Sequence, residues 1–166
     1  MVISSNGGTP TEVYSQAGHT LRRPAWSPDG SKIAFVESDS ATQEKSIQVV
    51  SRSTGALLNT YIAGTSIAYW AYGLDWSRTG LNKILFRSHD ASGVNKIYTI
   101  DCSLSDPSPV AVPIPSSDVV MECSWSPDNS KIVYMEGSLG LRTITLSTGA
   151  VTTISSVGGE WVEWKR

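Results

Sequence analysis

The chain has 166 residues, of which 40% are hydrophobic and 17% charged, and its formal net charge is −2. This length suffices for one domain with a hydrophobic core, and the charge excludes the basic footprint expected of a nucleic-acid-binding protein. The sequence contains no apolar run of about 18 residues, which would predict a membrane span. It also contains no basic segment followed by an apolar one, which would predict a signal peptide.

The first predicted element is a hairpin at the N-terminus. Residues 1–3 and 11–14 are short extended segments, and the turn-forming residues 4–8 follow the first of them. Such a pattern predicts two antiparallel strands joined by a loop. Similar hairpins recur further along the chain, each after a copy of a longer repeat.

The repeat first appears at Trp26. Residues 26–35 read Trp-Ser-Pro-Asp-Gly-Ser-Lys-Ile-Ala-Phe, and residues 125–134 read Trp-Ser-Pro-Asp-Asn-Ser-Lys-Ile-Val-Tyr. A degenerate copy with a longer turn starts at Trp76, and Trp164 begins what resembles a fourth copy. The spacings of 50, 49 and 39 residues fit the roughly 40–45 residues of a four-stranded propeller blade with variable loops.

The chemistry of a tight turn explains the recurring motif. Pro28 presets its φ, Asp29 offers a side-chain acceptor, and Gly30 can take a positive φ where the chain re-enters a strand. The third copy keeps Pro127 and Asp128 and has asparagine in place of the glycine, which is the next most tolerant residue at positive φ. The motif therefore predicts the joint between two strands of each unit.

Strand patterns surround each turn. Continuous apolar runs at 33–36, 84–86 and 132–134 suit strands that are buried on both faces. Outer hairpins are predicted at 46–50 with 56–58, 96–100 with 110–112, and 142–146 with 150–154. An ordinary β-sandwich with coincidental Trp-Ser turns is the alternative, and the near-identity of two ten-residue motifs disfavours it.

The predicted fold class is therefore all-β, a β-propeller of four-stranded antiparallel blades. About three blades are complete and two are partial, so the chain forms part of a ring or a four-bladed ring. The predicted repeat units are approximately 22–62, 72–115 and 121–155, with a split blade made from 1–14 and 160–166.

The turn motif and the strands around it resemble the WD-like propeller repeat of the TolB family, which also builds the propellers of prolyl-oligopeptidases and dipeptidyl-peptidases. The resemblance covers nearly the whole chain and implies a ring of usually six or more blades, often periplasmic or secreted in bacteria. It implies a protein-binding role if the chain is like TolB, and a cover over an active site if it is like the peptidases. Three full units fall short of that family's usual ring.

The ends of the chain predict an unclosed ring. If residues 1–14 and 160–166 shared one blade, that blade would lack its second strand, and unpaired strand edges are avoided in soluble proteins. The chain could be part of a longer propeller, copies could associate through their unpaired edges, or the last blade could close imperfectly. The first is favoured, and a stable, compact monomer in size-exclusion chromatography would contradict the first two.

Because successive strands run in opposite directions, their connections lie on two opposite faces of the blades, and we expect function on one of these faces. The Trp-Ser turns share one face, and the longer segments 38–45, 63–72, 87–95 and 116–120 share the other, which in repeat proteins often binds partners. On that face the sequence predicts a ligand or partner site formed by Tyr69, Trp70, Tyr72, Arg22 and Arg23. Packing of the aromatic residues against adjoining blades is the alternative.

Catalysis has little support in the sequence. Neither a Gly-x-Ser-x-Gly elbow nor a His-Glu-x-x-His or Cys-x-x-Cys metal motif occurs, and His19 and His89 are the two histidines. Cys102 and Cys123 are expected to be structural thiols, too far apart for a disulfide. We therefore expect no cofactor and no metal.

The predicted function is a non-catalytic binding or scaffold module, resembling TolB-type propellers, with a protein partner and no nucleic-acid or membrane-spanning role. The alternatives are the propeller of a larger serine peptidase of the prolyl-oligopeptidase type, or of a propeller polysaccharide lyase. The resemblance favours a periplasmic or extracellular location.

Overall fold

The computed structural model describes residues 1–62, 71–78, 80–90, 92–105, 107–115, 120–157, 159 and 162–164. The strands in these ranges are β1 (His19–Trp26), β2 (Lys32–Asp39), β3 (Lys45–Ser51), β4 (Leu57–Tyr61), β5 (Tyr72–Trp76), β6 (Lys83–His89), β7 (Asn95–Asp101), β8 (Val110–Ala111), β9 (Val120–Trp125), β10 (Lys131–Glu136), β11 (Gly140–Thr145) and β12 (Val151–Ser155). A short 3-10 helix spans Gly137–Leu139.

The strands form three four-stranded antiparallel sheets in the orders β1-β2-β3-β4, β5-β6-β7-β8 and β9-β10-β11-β12, here called blades 1, 2 and 3. The first strand of each blade is the inner strand, and β5 contacts both β1 and β9. The prediction of an all-β propeller with four-stranded antiparallel blades is confirmed. Among the described residues, no helix is long and apolar enough to cross a membrane.

Each Trp-Ser turn is closed by its serine. The hydroxyl oxygens of Ser27, Ser77 and Ser126 accept hydrogen bonds of 2.8–2.9 Å from the backbone N–H groups of Lys32, Lys83 and Lys131. In blade 1, Asp29 Oδ1 in turn accepts from the Ser27 hydroxyl at 2.6 Å. These bonds satisfy backbone donors that the turn would otherwise leave without a partner.

The positive φ values fall where the turn requires them. Gly30 has a φ of 68° and its counterpart Asn129 has a φ of 59°. In the longer turn of blade 2, Asn82 and Gly80 have φ values of 48° and 95°. Residues of these two types adopt the left-handed region at least steric cost.

The hydrophobic core lies between successive blades. Trp76, Ile84 and Phe86 of blade 2 pack in one cluster with Val36 and Ile47 of blade 1. Blade 3 packs on blade 2 in the same way, through its tryptophan and the two middle-strand residues equivalent to Ile84 and Phe86. Blades 2 and 3 therefore each bury one face against the blade before them, and blade 2 is covered on both faces, which is why its middle strand is apolar on both sides.

A polar tie reinforces the contact between blades 2 and 3. Asp75 Oδ2 accepts hydrogen bonds of 2.8 Å from both the Ser124 hydroxyl and the Trp125 N–H. Arg78 donates its backbone N–H to Asn129 Oδ1 at 2.7 Å. The residue of blade 1 at the position of Asp75 is Ala25, which carries no acceptor.

The N-terminal hairpin packs on the face of blade 1 that no preceding blade covers. Val2, Val13 and Tyr14 contact the cluster around Ile33 and Phe35, but a cleft of about 390 Å³ is left between the hairpin and the blade. Within the hairpin the pairing is one bridge, Val2 with Thr11, rather than two full strands. The eight residues between them form no further strand pairing, so the predicted strands are shorter than expected.

At the other end, Val162, Glu163 and Trp164 lie in no strand. The split blade formed with this segment stays a prediction. Residues 160, 161, 165 and 166, which the sequence also places in the split blade, lie outside the described residues.

Candidate functional site

Two of the predicted site residues, Tyr69 and Trp70, lie outside the described residues. Arg22 and Arg23 lie in β1, and Tyr72 is the first residue of β5. Arg22 and Arg23 lie near the middle of β1, whereas Tyr72 lies at the end of β5 that is opposite the Trp-Ser turn. We call this end of the blades, which includes the β2–β3 and β6–β7 connections, the loop face.

Three cationic side chains surround Tyr72. The guanidinium carbon of Arg87 lies 4.6 Å from the centroid of the Tyr72 ring, the Lys45 ammonium 5.9 Å and the guanidinium carbon of Arg23 6.0 Å. These distances fall within the range of cation–π attraction. Blade 1 supplies Arg23 and Lys45, and blade 2 supplies Tyr72 and Arg87.

Blade 3 contributes the carboxylate of Glu122. Its Oε1 lies 3.6 Å from Arg23 Nη1, and the Glu122 side chain is 13% exposed. Burial raises the pKa of Glu122 from its ordinary value, while the charges of Arg23 and Arg87 act in the opposite direction. We call Arg23, Lys45, Tyr72, Arg87 and Glu122 the Tyr72 cluster, and it joins all three blades.

Each inner strand carries a one-residue bulge near the cluster. The register with the middle strand shifts between Arg22 and Ala25 in β1, and between Tyr72 and Asp75 in β5. Arg23 has a φ of 57° and Gly73 a φ of 60° in these bulges. Bulges re-aim side chains out of the regular alternation of a strand, and here they bring β1 and β5 residues to the cluster.

Gly73 leaves room for the Glu122 carboxylate. A Cβ atom added at Gly73 would lie 2.5 Å from Glu122 Oε2, which is closer than van der Waals contact allows. Gly73 therefore leaves the Glu122 carboxylate free to take the position in which it pairs with Arg23.

A cavity of about 220 Å³ opens beside the cluster. Its walls include Arg22, Arg23, Lys45 and Tyr72 together with the polar residues Thr20, Ser38, Ser40 and Gln43. Arg22 is exposed and also borders the cleft on the open face of blade 1. The site is therefore an open, polar and cationic depression with one aromatic ring at its edge.

The predicted site includes Arg23 and Tyr72 of the cluster but not Lys45, Arg87 or Glu122. The sequence assigns 38–45 and 87–95 to the longer connecting segments, whereas β2 continues to Asp39 and β6 includes Arg87. If the regular pairing of Trp76 with Ile84 continued along the strands, Tyr72 would lie opposite Ser88. The bulge places it opposite Arg87 instead. A bulge has no sequence signature clear enough to reveal this shift.

The two histidines lie outside the Tyr72 cluster. His19 Nδ1 is 3.5 Å from Glu37 Oε1, and its Nε2 is 3.8 Å from Asp39 Oδ2. Glu37 is buried and also accepts from Gln48 Nε2 at 2.6 Å. His89 is the last residue of β6. The surroundings of His19 are those of a structural polar network within blade 1.

Neither cysteine is bonded to another, since both Cys102 and Cys123 are free. Burial raises the pKa of the Cys102 thiol to about 11 and raises that of Cys123 further, so neither is a thiolate at neutral pH. In the part of the chain that the structure describes, no group of three His, Cys, Asp or Glu side chains is placed to hold a metal ion.

Neither a protein-family model nor a curated protein matches the chain. Among solved structures, it is similar to TolB from Acinetobacter baumannii, with 22% identity and a TM-score of 0.73 over 92% of this chain and 36% of that one. A TolB candidate from Agrobacterium tumefaciens gives 21% identity and a TM-score of 0.69 over 90% of this chain and 53% of that one.

The chain has a TolB-like β-propeller fold. It spans 36% and 53% of the two TolB structures. One of two prolyl endopeptidases is also similar, with 16% identity and a TM-score of 0.58 over 92% of this chain and 23% of the enzyme. At these identities the likeness concerns the fold.

Proposed function

We propose that this TolB-like propeller segment is a non-catalytic binding module that recognises a protein partner through its loop face. The observation that carries the proposal is the Tyr72 cluster. Side chains from three blades converge there around one aromatic ring, beside an open polar cavity. Aromatic and arginine side chains are the residue types enriched at the energetic centres of protein interfaces.

The two faces of the blades support this assignment. On the turn face, serine and aspartate side chains are engaged in closing the turns. On the loop face, Arg23, Lys45 and Arg87 are directed toward a ring that belongs to no turn. The resemblance to TolB also favours a location in the cell envelope or outside the cell.

A displayed library of random peptides, panned against the purified chain, tests the proposal. We expect the enriched peptides to bind Tyr72→Ala at least about tenfold more weakly than the parent chain. Binding of the same peptides to Asp128→Asn, the matched control variant on the turn face, should be unchanged. Thermal unfolding of each variant controls for folding, and peptides that lose affinity for Asp128→Asn but not for Tyr72→Ala would contradict the proposal.

The similarity to the prolyl endopeptidase favours a second candidate, the propeller domain of a larger serine peptidase. In that case the Tyr72 cluster would face a catalytic domain rather than a separate partner. A hydrolase domain with a Gly-x-Ser-x-Gly nucleophile elbow, encoded next to this sequence, would favour that candidate. The presence of such a domain would also count against the polysaccharide lyase, the other alternative that the sequence leaves open.

A further inference from the structure

The three blades carry different residues at one equivalent position of the loop face. Arg23, Gly73 and Glu122 each stand three residues before the tryptophan of their blade. All three positions lie in or next to the bulge of an inner strand. Because the blade fold accepts an arginine, a glycine and a glutamate there, the blade itself does not dictate these residues.

Among the described side chains of the cluster, positive charges outnumber negative ones. Arg23, Lys45 and Arg87 bring three positive charges to within 6.0 Å of the Tyr72 ring, and Glu122 brings one negative charge. Arg22, on the wall of the adjoining cavity, adds a further positive charge. An excess of positive charge in a concave, partly desolvated site attracts anions more strongly than the same charges on a flat surface would.

We infer that the Tyr72 cluster binds a carboxylate side chain of a short acidic peptide segment, with Arg23, Lys45 and Arg87 as the anion-binding residues. Glu122 occupies part of this site as an internal carboxylate and competes with the incoming one for Arg23. The inference rests on the proposed function and specifies the chemistry of the partner.

The distribution of charge favours a short acidic segment over an extended polyanion. The whole chain has a net charge of −2, so a nucleic acid or a long acidic polysaccharide would meet repulsion outside the cluster. The cavity of about 220 Å³ is small, and the hydroxyl and amide groups of Ser38, Ser40 and Gln43 line it. Such groups hydrogen-bond to a peptide backbone next to the anchored carboxylate.

The probe for the test is a blocked octapeptide of alternating glutamate and glycine, measured by isothermal titration calorimetry against the intact chain at low ionic strength. Its matched control replaces every glutamate with glutamine, which keeps the shape and removes the charge. We expect the acidic peptide to bind at least about tenfold more tightly than the glutamine peptide, and its affinity to fall as salt is added.

Variants assign the effect to the cluster. Arg87→Ala should weaken binding of the acidic peptide about tenfold, since it removes a charge-assisted contact. Arg52→Ala removes the same charge from the exposed β3–β4 turn and should leave the affinity unchanged. Glu122→Gln should bind the acidic peptide up to about fivefold more tightly, because the competing carboxylate is lost. Loss of a structural residue would not increase affinity.

The outcomes separate this inference from the proposed function. Equal binding of the acidic and glutamine peptides, both weakened by Tyr72→Ala, would overturn the acidic specificity and leave a loop-face binding module. Acidic-peptide binding that is lost in Arg52→Ala but kept in Arg87→Ala would overturn both. Binding of a polyuronate but not of the acidic peptide, again lost in Arg87→Ala, would replace the peptide partner with a polysaccharide.

Discussion

The two faces of the blades use equivalent positions in opposite ways. On the turn face, one residue type recurs in all three blades, since Ser27, Ser77 and Ser126 each accept the N–H of a lysine and close the turn. On the loop face, equivalent positions diverge, as in Arg23 and Glu122, which form an ion pair between blades 1 and 3. Repetition marks what every blade needs, and divergence marks positions that are available for recognition.

The largest expected effect concerns the repeated tryptophan. Trp76 and Trp125 are each 1% exposed beneath the preceding blade, whereas Trp26 is 36% exposed on blade 1. We expect Trp76→Ala and Trp125→Ala to lower the free energy of unfolding by about 3–5 kcal/mol each, and Trp26→Ala by about 1–2 kcal/mol. Urea unfolding followed by circular dichroism measures all three variants.

Equal losses in the three variants would mean that the motif itself, rather than cover by a neighbouring blade, determines stability. The repeat would then be a self-sufficient unit, and the distinction between scaffold and recognition positions would lose its physical basis.

The second effect is at Gly73, a loop-face position. Gly73→Ala forces an L-residue to a φ of 60° and sets its Cβ against the Glu122 carboxylate, so we expect a loss of about 2–3 kcal/mol. Gly149→Ala is the matched control, because Gly149 has a φ of 70° with no atom within 4 Å of the added Cβ, and it should lose about 1 kcal/mol. Combining Gly73→Ala with Glu122→Ala should recover the difference in urea unfolding; no recovery would contradict the contact.

A smaller effect is expected on the turn face. Ser126 is buried and accepts the Lys131 N–H at 2.9 Å, so Ser126→Ala leaves that donor without its partner and should cost about 1–2 kcal/mol. Ser130 lies on the surface of the same turn, and Ser130→Ala should cost less than about 0.5 kcal/mol. Neither variant should change binding of the acidic peptide, and a change in Ser126→Ala at unchanged fold would break the comparison of the faces.

The smallest expected effect is a loss of folding stability at low pH. Hydrogen bonds from serine hydroxyls and backbone N–H groups lower the pKa of Asp29 and lower that of Asp128 to about 2. A lowered pKa contributes stability that is present above the ordinary value of 3.8 and is lost as the pH falls toward about 2. In urea titrations across this range, the double variant Asp29→Asn and Asp128→Asn should lose less stability than the parent chain. Parallel pH profiles would contradict the role of these carboxylates.

The repeat predicts the blades and their turns because both depend on local sequence. Continuous apolar runs such as 84–86 become middle strands, and the asparagine at 129 takes the positive φ expected of its glycine counterpart. The exposure of Trp26 does not follow from the motif, since it depends on a neighbouring blade. The contact between Tyr72 and Arg87 depends on a bulge, and a bulge changes pairing without changing the pattern of residue types.

Chemical-shift mapping tests the central claim most directly, because it locates binding on one face without any substitution. In a titration of the isotopically labelled chain with the acidic octapeptide, we expect the amide signals of Arg23, Tyr72, Gly73, Arg87 and Glu122 to shift, and those of the turns at 27–32 and 126–131 to stay in place. Shifts concentrated at these turns, with the Tyr72 cluster unaffected, would contradict the assignment of recognition to the loop face.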